Sequence, residues 1–472
     1  MLMLLLLPLA SAYIDPGTGG YIASGLGPAI WAMLLAAFGF IATLFRRVII
    51  EKAKKNKAAT VILIVIIAII LYLLFFQPEP KEIASGGVTG AAESPSTTAS
   101  GPVKVTGSFQ TVPSNLTFDP SVSGAHMYDA SKAYDGYNLY NGMLMDMQGN
   151  VIKRWRSIYL GVLDSEGNYY AQQYYEAPKF GKYTFDDKVI WEKNIPIHHQ
   201  IALMGNGNVL TFGKIVRMYN GRDVEFDTIL EFDGDTGELV SNYSIYDHLA
   251  EFQQYHRELE LDQPEGAEIP ESHRMNQSIW GGHYDYYHAN YINLIPQNTL
   301  SSEYEAFQKG NWILSFRHGS MVFILDKDTQ DILWRAIYDQ VEGTLEGQHS
   351  PQILDNGRVL VMDNGRYRES SRVIEIDPIT LKVLWEYTNP DFYTLSQGNV
   401  QLLLNGNMLV AETEKGHVFE ITRDGKTVWD FYSPDRIRDA DPAYAGDLKK
   451  VGERQEIYKM YRYSKEFIEQ FL

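Results

Sequence analysis

One unit recurs six times between residues 137 and 429, and no other feature constrains the fold as strongly. It consists of a strand led by a Gly-Asn type turn, a second strand, a polar turn, and a strand ending in Trp. Its versions are YNLYNGMLMDMQGNVIKRW to Trp155, GVLDSEGNYYAQ with YTFDDKVIW to Trp191, and HQIALMGNGNVLTFGK with ILEFDGDTGELV, which lacks the Trp. The fourth holds GNWILSF and MVFILDKDTQDILW (Trp334), and the fifth NGRVLVMDNG and SRVIEIDPITLKVLW (Trp385). The sixth is NGNMLVAETEKGHVFEITRDGKTVW, closing at Trp429. Turn residues between β-branched and aromatic runs read as hairpins. Six such sheets fit the blades of a propeller around a channel, each burying its faces against its neighbours. A Trp repeated at one strand end reads as a packing staple. Spacing is irregular where chain is inserted, chiefly around residues 255–285.

The expected class is therefore all-β: a six-bladed β-propeller over 134–438, preceded by a two-helix membrane anchor. Residues 28–45 and 58–76 carry no charge and are each long enough to span a bilayer. The loop between them holds Arg46, Arg47, Lys52, Lys54, Lys55 and Lys57. The positive-inside rule puts that loop in the cytoplasm and the propeller on the extracytoplasmic side of a cell membrane. Residues 1–12 resemble a signal segment ending in Ala-Ser-Ala, and complete an anchor unit over 1–76. Residues 13–21 (YIDPGTGGY) have turn chemistry and no assigned role. Residues 77–105 read as a flexible linker, 106–133 as a small strand-rich segment, and 439–472 as a partly helical tail packing on the propeller.

The repeat register singles out histidines. His199 stands seven residues before Asn206, and His349 seven before Asn356; in the sixth repeat that place is Gly398. His288, in His288-Ala289-Asn290, begins the corresponding strand of the fourth repeat, with His283 and Asp285 just ahead as groups able to orient it. Innermost strands line a propeller's channel, so these positions converge. His126, His248, His256, His273, His318 and His417 lack the register and read as surface or structural. Converging imidazoles suit a metal or acid–base and nucleophilic work. There is no HExxH motif, and no carboxylate repeats with the histidines. Arg317 adds a permanent charge, and imidazoles with a guanidinium suit a sulfuryl or phosphoryl oxyanion. The alternative for Arg317 is a surface ion pair.

Composition narrows the chemistry. The chain has no Cys, which removes thiolate nucleophiles and Cys-bound metals. Its net charge is −18, against a nucleic-acid partner. Residues 1–100 hold seven Lys/Arg and five Asp/Glu, leaving 34 against 54 beyond, so a cationic channel would sit in an acidic body. No GxxxxGK[ST] or GxGxxG is present, and no cofactor is expected.

IPIHHQIALMGNGNVL, DYYHANYINLIP, NWILSFRHGSMVFILD, GQHSPQILDNGRVLVMDNG and SSRVIEIDP resemble successive blade motifs of the bacterial aryl sulfotransferase family. YDGYNLYNGMLMDMQGNVIKRW resembles its lead-in and IYKMYRY its closing segment, so the resemblance covers about 107–465. It implies a six-bladed enzyme that moves a sulfuryl group from an aryl sulfate to a phenolic acceptor, through a sulfated histidine and without a nucleotide donor. On that resemblance His349 is the nucleophile. His288, Asn290 and Arg317 hold the sulfuryl oxygens, and His199 assists the phenolic oxygen; the repeat register, and not the resemblance, favours His199 over its neighbour His198. Some relatives carry a disulfide near the site, which this chain lacks; that and the anchor bear on the substrate. The competing expectations are a binding propeller that scaffolds envelope proteins or polysaccharide, and a metal-dependent hydrolase or lyase.

Overall fold

A computed structural model describes residues 103–107, 123–155, 160–173, 178–256, 259–262, 283–435 and 454–472. The signal-like segment, both expected spans and the YIDPGTGGY segment lie outside them. Among the described residues no helix is long and apolar enough to cross a membrane.

Six sheets of sequential antiparallel strands form the six blades. Blade 2 is Leu160–Leu163, Tyr169–Gln173, Lys179–Tyr183 and Val189–Lys193. Blade 3 is His198–Leu203, Val209–Tyr219, Arg222–Phe232 and Leu239–Ser244. Blade 4 runs Ala289–Leu294, Trp312–Phe316, Met321–Leu325 and Ile332–Ile337; blade 5 runs His349–Ile353, Val359–Asp363, Arg372–Ile376 and Val383–Thr388. Blade 6 is Asn399–Leu402, Met408–Glu412, His417–Ile421 and Thr427–Tyr432. The first strands of blades 3 to 6 adjoin one another in order, forming the inner wall.

Blade 1 is built from both ends of the propeller sequence. Gly136–Tyr140, Met143–Met145 and Val151–Arg154 supply three strands, and Tyr461–Ser464 pairs antiparallel with the first of them. The tail thus supplies a strand of a blade, beyond the packing on the propeller that was expected; among its described residues Lys465–Glu469 is helical. Arg462 secures it, 3% exposed: it bonds Asn138 Oδ1 at 2.7 Å, pairs with buried Glu420 of blade 6, and lies 4.5 Å over the Trp429 ring. The N-terminal flank also differs from expectation. Val103–Thr106 adds in parallel to the outer edge of blade 5, so part of the expected linker is strand, and Gly124–Tyr128 adds antiparallel to blade 6. Both cover edges that would otherwise expose unpaired backbone.

The tryptophans sit in or just after the outermost strands and act between blades. The indole N–H of Trp191 donates to Gly234 O at 3.0 Å, Trp334 to Pro378 O at 2.7 Å, Trp385 to Arg423 O at 3.1 Å, and Trp429 to Met147 O at 2.8 Å. Each acceptor lies in the outer hairpin turn of the following blade, the last bond joining blade 6 to blade 1. Trp155 instead stacks on Tyr169, with ring centroids 4.6 Å apart.

Candidate active site

Three neighbouring inner strands begin with the same irregularity. Strand register slips between His198 and Ile201, between Ala289 and Tyr291, and between His349 and Gln352. His199 and Ser350 take φ of 63° and 52° within these slips, and His288 takes 54° just before its own. Left-handed backbone costs a residue with a side chain about 1 kcal/mol or more, and a bulge re-aims the side chains around it. Counted back four residues from the last pair of each strand (Leu203, Leu294 and Ile353), one position holds His199, Asn290 and His349, so the register expected for His199 and His349 is present while His288 stands two residues before it.

His349 is 1% exposed and its tautomer is fixed by what surrounds it. Nδ1 lies 2.7 Å from Asn364 Oδ1 and 3.0 Å from Gly347 O. Asn364 spends its amide hydrogens on Thr394 O and Gln397 O, both at 3.0 Å, so its oxygen faces the imidazole. Nδ1 therefore carries the hydrogen and Nε2 the lone pair. Nε2 is buried with no hydrogen-bond partner. Burial, reinforced by Arg317 and Lys459, holds this imidazole well below its ordinary pKa despite Asn364, so it is neutral.

His198, His199 and His288 form a chain. Asp285 Oδ2 lies 2.7 Å from His288 Nδ1, and His288 Nε2 lies 2.9 Å from His199 Nε2. His199 Nδ1 is 3.2 Å from His198 Nδ1, whose Nε2 is 3.3 Å from Gly213 O. Burial lowers all three imidazoles, His198 to about 3 and His199 well below the usual range, with neighbouring charges adding to this in His199. In His288 burial outweighs the opposing pull of Asp285. Burial alone would raise Asp285, but Lys214, His288 and His318 hold it ionised. Both ends of the chain only accept. Its four links need four hydrogens, while three neutral imidazoles carry three. The chain is one proton short of full satisfaction, so it can take up a proton without rearrangement. Asp227 Oδ1, 3.4 Å from His198 Nε2, is a further neighbour, its carboxyl raised by burial and by Asp285.

Arg317 is 7% exposed, and among the described residues it makes no ion pair and its buried Nε has no partner. The surface-pair alternative is overturned. Burial, with Arg366 nearby, lowers its pKa to about 10, so it stays charged. His318 orients it: Nδ1 donates to Asp285 O at 2.9 Å, which turns the Nε2 lone pair toward Arg317 Nη1 at 3.4 Å. Asn290 is fully buried, and its amide donates to Gln348 O at 2.8 Å, bracing the residue before His349.

The structure thus gathers His198, His199, His288 and Asp285 in one chain. It sets Arg317 beside that chain, with His349 and Asn290 on the same inner wall. Asp285, and not His283, orients His288. Asn364 and His318 were missed. Asn364 directly follows the strand paired with that of His349, two residues past the partner Met362, and pairing that hairpin would have found it. His417 is structural and buried, held between Glu412 at 2.8 Å and Asp430 at 2.7 Å, which raise its pKa to about 9 against the effect of burial. Among the described residues no three His, Asp or Glu side chains are arranged to hold a metal ion.

Solved structures resemble the chain loosely. A protein of unknown function from Bacteroides caccae is 14% identical over 70% of this chain and 98% of its own, with a TM-score of 0.39. TolB from Acinetobacter baumannii is 11% identical over 62% of each, at 0.38. A virginiamycin B lyase from Staphylococcus aureus is 10% identical over 66% and 74%, at 0.32. Likenesses of this strength say nothing of chemistry. No curated protein matches the sequence. The family described as Arylsulfotransferase (ASST) matches residues 144–433, from the second strand of blade 1 to just past the last strand of blade 6. That span contains every residue predicted for the site, and the chain belongs to this family of sulfotransferase enzymes.

Proposed function

We propose that the protein transfers a sulfuryl group from an aryl sulfate to a phenolic or other hydroxyl acceptor, with His349 as the nucleophile. The observation that carries this is the free, buried Nε2 lone pair of a neutral imidazole whose other nitrogen is fixed by Asn364. In the first half-reaction Nε2 attacks sulfur, the N–S bond forms, and the S–O bond to the aryl oxygen breaks. Arg317 meets the charge on the peripheral oxygens from a buried position, where such help is strongest. In the second half-reaction the acceptor oxygen attacks sulfur, the N–S bond breaks, and Nε2 regains its lone pair. The phenolate of the first half-reaction takes its proton from solvent as it leaves, and the hydroxyl proton of the second passes to the histidine chain, which has one vacant place, and from there to solvent. Asn290 and His318 act as positioning residues. No nucleotide enters. Residues 28–45 and 58–76 would tether the propeller to the outer face of a membrane, a placement supported by their uncharged length and the basic loop between them.

The test is transfer from 4-nitrophenyl sulfate to a phenol by the purified full-length protein without added nucleotide. His349→Asn should abolish it, and mass spectrometry of the trapped intermediate should place one sulfuryl group on the His349 peptide. Label on another residue, or undiminished turnover by the variant, would overturn the assignment.

A further inference from the structure

Lys459 reaches the site from the segment that closes the ring. It is 5% exposed. Its Nζ donates to His199 O at 2.6 Å and to Gln200 Oε1. It lies 5.4 Å from the Tyr291 ring and 5.3 Å from that of Tyr458. The titratable groups facing it are Tyr291 on blade 4, Tyr458 and Tyr461 on its own segment, and His199 and His349, which both sense its charge. Among the described residues no carboxylate pairs with it. An ammonium taken out of water without a counter-ion is costly, and burial alone lowers its pKa to about 7. For stability alone an apolar side chain would serve better.

We propose that Lys459 is a positioning residue for the sulfuryl group, a cation whose counter-charge is brought by the anionic substrate. It grips the left-handed His199 carbonyl from below, and its charge is felt at the atoms that handle the sulfuryl group. When the sulfate monoester binds, the ammonium gains its missing partner and the neutral amine takes up a proton from solvent. The proposal rests on the sulfuryl-transfer reading, but it can be tested without turnover.

The test is calorimetric binding of 4-nitrophenyl sulfate, and separately of inorganic sulfate, to full-length protein carrying His349→Asn. Titrations at about pH 8 in two buffers of different ionisation enthalpy give the protons taken up. Uptake of most of one proton is expected. Adding Lys459→Met should remove that uptake and weaken binding at least about tenfold, as for loss of one charged contact. Lys459→Arg, which stays charged and guards against a misfolded Met variant, should bind but take up no proton. Unchanged uptake in either variant, or unweakened binding in Lys459→Met, overturns the proposal. Inorganic sulfate bound with uptake while the aryl sulfate is refused would fail the aryl-sulfate reading and keep this one. Refusal of both ligands fails both.

Discussion

At the residue scale the site works by fixing hydrogens. Asn364 leaves His349 one tautomer, and His318 gives Arg317 one direction. Asn364→Ala frees the imidazole to protonate either nitrogen, so kcat should fall about 10²-fold with KM little changed, read by steady-state kinetics. The pH dependence follows from the same burial. A protonated imidazole cannot attack, and the His349 pKa is depressed, so the nucleophile stays competent as pH falls. Turnover of 4-nitrophenyl sulfate should therefore persist below about pH 6.5, where a free imidazole would be half lost. An acid limb centred at that value would contradict the geometry. His199 and His349 were legible in sequence because the repeat places them at one backbone position, and His288 because it stands two residues before that position, which Asn290 holds in blade 4. Asn364, fifteen residues from His349, and Lys459, 260 residues from His199, were not, because their contacts come from hairpin pairing and ring closure.

At the element scale the blade is a conserved sheet with a movable burden. The position that holds a histidine in blades 3 and 5 is Gly398 (φ +85°) in blade 6, whose first two strands pair without a slip and where an added Cβ would strike the Ala411 carbonyl at 2.8 Å. The outer strands carry the opposite duty. Their tryptophans bond the next blade's turn, which explains a repeated residue that the chemistry never uses. Trp334→Phe keeps a ring in place but leaves Pro378 O without its donor. Denaturant unfolding should show a loss of about 2 kcal/mol at unchanged m, with sulfuryl transfer retained. These staples were readable from the strand-end Trp pattern. Their partners were not, since each lies 38 or more residues away in another sheet.

At the scale of the whole molecule, six sheets and their order could be read from the repeats, but the ring's seam could not. The first repeat is a strand short, and nothing local announces that Tyr461–Ser464 supplies it. Arg462→Met breaks the buried pair with Glu420 and leaves that carboxylate uncompensated. It should cost about 3–5 kcal/mol in unfolding free energy and lower activity through loss of folded protein. The seam also sets a timetable. A ribosome makes His349, its partner Asn364 and the histidine chain long before it makes Lys459 and the strand beside it. Until residue 464 has been synthesised, blade 1 lacks its inner strand and the ring stays open. The growing chain thus carries the proposed site without Lys459 until the end, and the ring that holds it closes in one late step, when the last strand docks.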